Sequence, residues 1–514
     1  MSQAAESEGG RRRGRAARRE ARERGPATPT APYVARNIGV FRLLDEEGLA
    51  LIERKADQIL QEIGIEFRGD QEVLAILKRA GADVRGERVR FEPGHCRTVI
   101  QASAPSRFTQ HARNPARSVE IGGENSLFCP SFGPPFVHDM ERGRRYATLE
   151  DFHNLTKLHH MLPGVHHSGG VVVEPVDVPV PERHLDMAYG HLRFNDKPFM
   201  GAVTAPERSE DTVRMAKIVF GEDFVEANCC LYSVVNSNAP LVWDATMLGA
   251  LKTYARHNQA VVVSPFILAG AMSPVSIAGT LAQVLAEAQA GLCLIQLIRP
   301  GAPAVFGTFA SPISMQTGAP TFGTPEGMQM QFCASALVRR LGVPFHSVGA
   351  LTAAKVPDAQ AAYEGARQLQ AAFLAGVNFI IHATGCLEGL LTTGYEKLIM
   401  DADMCEALSV FAQNVDLSEI DEAIEAIRDV GPGAHFLGCD HTQAHFETAF
   451  WRSEFSDNKT FEQWSAEGSA WAQERAHQRW KALLADYQAP ALDPAVDEAL
   501  KDFVARRRAE IQAD

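Results

Sequence analysis

Cys229-Cys-Leu-Tyr-Ser-Val-Val235, Ala260-Val-Val-Val-Ser-Pro-Phe-Ile-Leu268, Ala304-Val-Phe-Gly307, Pro344-Phe-His-Ser-Val348 and Phe379-Ile-Ile-His382 decide the fold. Each is a short run rich in apolar and β-branched residues, the composition of a strand buried on both faces. Three runs of the same kind precede them, Phe128–Val137, His166–Val173 and Phe199–Val203. Helical stretches separate most of the eight, at 183–194, 209–220, 243–257, 276–298, 326–341, 358–375 and 395–413. Strand and helix in alternation build a parallel sheet. Eight strands are enough to close a (β/α)8 TIM barrel, whereas open doubly wound sheets usually have fewer. Gly342-Val-Pro344 and Arg299-Pro-Gly301 punctuate the units where the chain must reverse.

Working outward, Leu49, Ile52, Ala56, Ile59, Leu60 and Ile63 recur at helical spacing up to Gly64. A second helix over residues 70–80 ends at Gly81, and Val84 and Val89 mark a short strand-like passage. The predicted organisation is a disordered Arg-rich tail and linker over 1–32, an N-terminal α+β lead-in over 33–126, a barrel core over 127–416 and a C-terminal helical extension over 417–514. That extension holds Trp451, Trp464, Trp471 and Trp480, and large aromatics of this kind are expected to bury against the barrel or a second copy of the chain. A homo-oligomer is expected.

The 514 residues carry 50 Lys+Arg against 63 Asp+Glu. Residues 1–30 hold eight Arg and four Glu, which leaves 42 basic against 59 acidic residues in the remainder. An acidic body repels phosphate backbones, so no nucleic-acid partner is expected. No run reads as a membrane span and no apolar segment follows the basic tail as a secretory signal requires, so the expected setting is cytoplasmic. Nine cysteines at irregular spacing form no disulfide framework.

In a parallel barrel the loops after the strands share one rim, and catalytic groups come from those strand ends. The rim shortlist is Phe132 and Pro134, Asn236 and Asn238, Thr308 and Phe309, Ser347 and Gly349, and His382 through Glu388. Gly323-Thr-Pro-Glu326 has the order of a helix start, with Glu326 suited to the positive end of the helix dipole. Lys355-Val-Pro-Asp-Ala-Gln360 begins another helix, with Tyr363 and Glu364 one turn on. His435, Cys439, His441 and His445 stand at separations that can ligate zinc. Paired zinc ligands normally come with a second pair at a recognisable distance, none shows here, and no metal is expected.

Gly323-Thr-Pro-Glu326, Val356-Pro-Asp-Ala-Gln-Ala-Ala-Tyr-Glu364, Tyr395-Glu-Lys-Leu-Ile-Met-Asp401 and Gly433-Ala-His-Phe-Leu-Gly-Cys-Asp-His-Thr442 occur in this order. With Asn236-Ser-Asn-Ala-Pro-Leu241, Ala269-Gly-Ala-Met-Ser-Pro274 and Ala278-Gly-Thr280, they resemble the blocks of the trimethylamine methyltransferase family over about residues 35–480. The resemblance implies a TIM barrel that takes a methyl group from a small methylated amine and passes it to the cobalt of a separate corrinoid protein. The trimethylamine enzymes of that family carry pyrrolysine. This sequence has none, which makes it similar to the non-pyrrolysine branch acting on quaternary amines such as glycine betaine.

A betaine needs aromatic faces or carboxylates around its cation and donors for its carboxylate. Rim position and motif together select Glu364 and Tyr395 as catalytic residues. They select Phe132, Asn236, Phe309, Glu326, His346, Tyr363 and His382 as substrate contacts, with Lys397 as a further donor. Two alternatives stay open: a folate or thiol as methyl acceptor, and a barrel lyase or hydrolase using Lys355 or Lys397.

Overall fold

The computed structural model describes residues 31–513; the expectation for the Arg-rich tail lies outside them. The fold is mixed α/β. Its central sheet contains β1 (Asn125–Phe128), β2 (Phe199–Met200), β3 (Leu231–Val235), β4 (Ala260–Val263), β5 (Ala304–Gly307), β6 (Phe345–Val348) and β7 (Phe379–Ile381). They lie in the order β1-β7-β6-β5-β4-β3-β2, every neighbouring pair parallel. An eighth strand, Val34–Ala35, lies antiparallel against β1. Eight longer helices follow in turn, with the short helix Glu222–Ala227 between the third and fourth: α1 (Leu149–Met161), α2 (Arg183–Phe194), α3 (Pro206–Phe220), α4 (Ala245–Arg256), α5 (Ile277–Ile298), α6 (Pro325–Leu341), α7 (Ala359–Ala375) and α8 (Tyr395–Phe411). Local signals set their ends. Thr148 and Asp151 form a capping box at α1, Asp244 and Asp358 cap α4 and α7, and Gly342 and Gly376 stop α6 and α7 in the left-handed conformation.

The parallel strands of this sheet number seven, not eight, because the run His166–Val173 forms no strand. Gly169 has φ 91°, which breaks the extended path. A Cβ on Gly170 would lie 2.8 Å from Met200 and 2.9 Å from the Phe132 ring, so only glycine fits so close an approach. The segment still bonds on both sides: His166 N donates to Phe128 O at 2.9 Å, Ser168 N to Pro198 O at 2.8 Å, and Met200 N to Gly169 O at 2.8 Å. Two other runs divide. Phe136–Asp139 leaves the first to pair with Thr392–Gly394, and Phe266–Ala269 leaves the fifth to pair with Phe309–Pro312.

The sheet is strongly curled. Tyr232 on β3 stacks on Phe379 of β7 with ring centroids 4.1 Å apart, although β4, β5 and β6 stand between them. In a flat sheet four strand spacings would separate the two by roughly 19 Å. Alternation sorts the strand residues accordingly. Tyr232, Val234, Val262, Val305, Val348 and Phe379 form one inner cluster, while Leu231, Val235, Val261, Val263, Phe306 and Phe345 pack outward under the helices.

One expectation needs correcting. Helix α5 has a mean hydropathy of 1.5 over its most apolar 18-residue window and is long enough to cross a membrane by composition, yet 89% of that window is buried. Its inner side lies on the sheet, and the lead-in helices Glu46–Gln58, Gln71–Arg79 and His95–Ser103 cover its outer side. A helix buried all round is apolar all round. In the C-terminal extension, Ala472–Asp486 packs on α8 and α1, and Pro494–Ala513 packs on α3 and α2. Trp480 is buried there, but Trp471 is exposed, contrary to the expectation for a large aromatic.

Candidate active site

Two layers of rings lie inside the curled sheet, a deeper one toward the amino ends of its strands and another at their carboxyl ends. The deeper layer is a stack. Tyr232, His346 and Phe379 pack mutually with near-parallel rings, Phe379 lying 4.1 Å from Tyr232 and 5.2 Å from His346 and the last two 5.9 Å apart, and His167 meets Phe379 edge-on at 5.2 Å. The Tyr232 hydroxyl is 3.0 Å from His346 Nδ1, and His167 Nε2 is 3.2 Å from Gln110 Oε1. All are buried, and together they make a floor.

Above that floor, beyond the strand ends, Phe266 stacks on Phe309 at 4.5 Å. Phe322 and His382 meet Phe309 edge-on at 5.9 and 6.3 Å. Phe132 completes the group; its backbone N–H donates to His382 Nδ1 at 3.2 Å. Phe309, Phe322 and His382 are buried, whereas Phe132 and Phe266 are half-buried and open the cluster to the outside.

This lining is apolar and uncharged. Burial pushes His346 and His382 down to about 3, and for His346 the neighbouring His382 acts in the same direction. Both imidazoles are therefore neutral at pH 7. Because His382 Nδ1 accepts the Phe132 N–H, its proton is assigned to Nε2. His382 has φ 57°, a left-handed conformation that a non-glycine residue holds only when its surroundings impose it.

Three buried or half-buried carboxylates hold the loops around this cluster. Glu364 accepts from the Thr352 hydroxyl at 2.6 Å, from Ala353 N at 2.9 Å and from Gln360 Nε2 at 3.0 Å, which fixes the loop after β6. That loop in turn receives Glu388 N on Ala354 O and Gly389 N on Thr352 O, tying it to the loop after β7. Asp401 accepts Gly385 N at 2.8 Å and pairs with Lys397. Glu287, from α5, accepts from the Ser237 hydroxyl and from Leu241 N at 2.9 Å, shaping the loop after β3.

Of the residues selected from sequence, the structure gathers Phe132, Phe309, His346 and His382. Asn236 stands at the end of β3 with Nδ2 donating to Ser264 O at 2.8 Å, and Glu364 acts on the neighbouring loop. Tyr395 is not brought there. It is buried in a different apolar cluster, its hydroxyl donating to Asp151 Oδ1 at 2.9 Å and its ring 4.7 Å from Trp480. Tyr363 is 52% exposed with the Arg367 guanidinium 5.0 Å from its ring centroid, and Glu326 is exposed in the first turn of α6. Lys397 is buried against Asp401, while Lys355 is exposed with Nζ on Ala353 O.

Sequence reading passed over Tyr232, His167, Phe266, Phe322 and Glu287. Two of them carried a signal: Tyr232 is a polar-tipped ring inside an apolar strand run, and Glu287 is the lone charge in α5.

A family model for trimethylamine methyltransferase (MTTB) matches residues 11–512. The chain belongs to the trimethylamine methyltransferase family. It is 39% identical over 472 residues to a glycine betaine methyltransferase of Desulfitobacterium hafniense (strain Y51), a match covering 92% of this chain and 98% of that protein. A proline betaine:corrinoid methyltransferase of Eubacterium limosum is 24% identical over 407 residues, covering 75% and 81% of the two chains. The crystal structure of the Methanosarcina barkeri monomethylamine methyltransferase aligns with 88% of this chain and 96% of that one, at a TM-score of 0.47 and 12% identity. This member of the family is an enzyme of methyl transfer, and the ring cluster at the strand ends is its candidate active site.

Proposed function

We propose that this methyltransferase removes a methyl group from a small quaternary ammonium compound bearing a carboxylate, with glycine betaine the first candidate, for transfer to a corrinoid protein. The ring cluster of Phe132, Phe266, Phe309, Phe322 and His382 carries this reading. π faces attract a permanent cation by ~0.5–2 kcal/mol each, and the neutral imidazoles set no competing charge against it. His382 Nε2–H and the second N–H of Asn236 supply donors for a carboxylate. The 39% identity to a glycine betaine methyltransferase favours the same class.

A quaternary nitrogen leaves as a neutral amine when its methyl is attacked, so the donor needs no activation by an extra functional group. The chain's task is to hold it. The rim rings fix the ammonium, and the loops clamped by Glu364, Asp401 and Glu287 set its direction; a misplacement of ~1 Å is enough to slow an in-line displacement severely. A reduced corrinoid, carried by a partner protein, supplies the nucleophile. Half-buried Phe132 and Phe266 leave the methyl donor reachable from outside, which fits delivery to a carrier that this chain does not itself hold.

We also read the sheet as a closed (β/α)8 barrel whose second stave is the irregular segment 165–170. The hydrogen bonds of His166, Ser168 and Gly169 to Phe128, Pro198 and Met200 support that closure, since they join the two ends of the strand order. A cytoplasmic setting accords with nine unpaired cysteines, eight of them buried.

The test incubates the enzyme with a reduced corrinoid protein and, in parallel, glycine betaine, proline betaine, carnitine or trimethylamine, and measures the demethylated amine by mass spectrometry. A betaine is expected to react and trimethylamine to remain. Phe309→Ala should raise KM about 2- to 30-fold and Phe309→Tyr should restore it. Demethylation of trimethylamine alone would overturn the substrate class, and equal turnover with a folate or thiol in place of the corrinoid protein would overturn the acceptor.

A further inference from the structure

We propose that the C-terminal extension holds a divalent transition-metal ion, zinc being the best match, between Glu419, His441 and His445. The ring nitrogens of the two histidines and a carboxylate oxygen of Glu419 all lie within 4.8 Å of one another. His441 and His445 stand one turn apart on the short helix Asp440–His445, their ring centroids 4.6 Å apart, so both present to one side. Glu419 immediately precedes a separate helix, Ile420–Val430, and its side chain makes no capping bond to it. Two imidazoles at this spacing plus one carboxylate from another element form a three-ligand set that suits tetrahedral zinc with one position open.

Donors on one zinc lie roughly 3.3 Å apart, given Zn–N and Zn–O distances of ~2.0–2.1 Å. The trio therefore has to contract by at most about 1.5 Å, which the exposed Glu419 side chain does by changing rotamer and the two half-buried imidazoles by small ring rotations. Two further observations point to a ligand. His441 Nε2 is buried without a hydrogen-bond partner among the described residues, and a buried polar atom of this kind is destabilising unless something satisfies it. A cavity of about 500 Å³, lined by Glu422, Glu425, Asp429, Cys439 and His441, gives access and room for water.

The simpler account, ion pairing of His445 with Glu419 and Glu422 at 3.7 Å each, leaves His441 Nε2 unexplained. Cys439 is not part of the set. Its sulfur accepts from Thr442 N at 3.4 Å and caps the helix, and His435 is exposed on the preceding turn. An ion here ties the helix Ile420–Val430 to the helix Asp440–His445, and it does not depend on the substrate reading.

The full-length enzyme is stripped with a chelator, dialysed, and titrated with zinc chloride by calorimetry, with the metal counted by plasma mass spectrometry. One zinc per chain is expected, with a cobalt(II) replacement giving the visible absorption of a tetrahedral site, and with thermal stability rising as zinc is added. His441→Gln with His445→Gln should abolish all three, and Glu419→Gln should weaken zinc at least tenfold. If the double variant fails to fold, Glu419→Gln decides. Zinc affinity in Glu419→Gln equal to that of the wild type, or a wild type that binds no zinc, would overturn the site.

Discussion

The Tyr232 hydroxyl lies 3.0 Å from His346 Nδ1, although β4 and β5 stand between the two strands that carry them. A flat sheet would put three strand spacings, roughly 14 Å, between these positions. The bond therefore exists only because the sheet curls. Tyr232→Phe keeps the stacking but strips a buried ring nitrogen of its partner, at an expected cost of ~1–3 kcal/mol. Urea unfolding should show a lower midpoint with an unchanged slope; an unchanged midpoint would mean that the pair contributes nothing.

Acid should destabilise the enzyme well before its carboxylates titrate. Burial holds His159, His166, His346 and His382 down to about 3 and His191 to about 4, against about 6.5 in an unfolded chain. Above pH 6.5 neither state binds these protons and stability is complete. Below it the unfolded chain takes up protons that the folded chain refuses, so stability falls as pH falls, by up to ~1.4 kcal/mol per pH unit for each histidine. Native stabilities are only ~5–15 kcal/mol, which places unfolding between about pH 6 and 4. Melting temperatures that stay level from pH 7 to pH 5 would contradict this.

Glu364 and Tyr395 should part company. Glu364→Gln sets an amide N–H₂ or a weaker acceptor against Thr352 and Ala353 and loosens the loop after β6, so kcat/KM should fall tenfold or more. Tyr395→Phe removes one of the donors to Asp151 Oδ1, which still accepts Arg145 Nη2 at 2.8 Å, while Oδ2 keeps Arg145 Nη1 at 2.9 Å. It should cost about 1 kcal/mol of stability and leave turnover within about threefold of the wild type, since the ring packs in a separate apolar cluster. Measuring kcat, KM and unfolding midpoints on both variants separates the roles; loss of turnover in Tyr395→Phe at full stability would return it to the active site.

Glu287→Ala should weaken the fold more than a surface glutamate would. It leaves the Ser237 hydroxyl and Leu241 N–H without their acceptor and opens space beside the buried Gln283. A loss of roughly 3 kcal/mol is expected, with faster proteolysis in the loop over residues 236–241. A midpoint within 0.5 kcal/mol of the wild type, by the usual scatter of surface changes, would show that the loop holds itself.

Much of this protein was decided locally, and that part was legible. The runs at Leu231–Val235, Ala304–Gly307, Phe345–Val348 and Phe379–Ile381 are strands, and the helix at 183–194 has the same bounds as Arg183–Phe194, because apolar period and cap residues act within a few positions of where they are read. Strand-end position picked out Phe132, Phe309 and His382 for the same reason.

What the tertiary structure alone decided were the meetings of distant segments. Run His166–Val173 has a strand's composition but turns at Gly169, φ 91°, and at Gly170 the side chains of Met200 and Phe132 leave no room for a Cβ. Tyr395 looked available until Trp480, from the extension, covered it. Tyr232 and His346 read as two unrelated strand residues, and Glu419 shows no spacing that links it to His441. Each depends on curl and packing, which sum contributions from the whole chain and leave no mark in a short window of sequence.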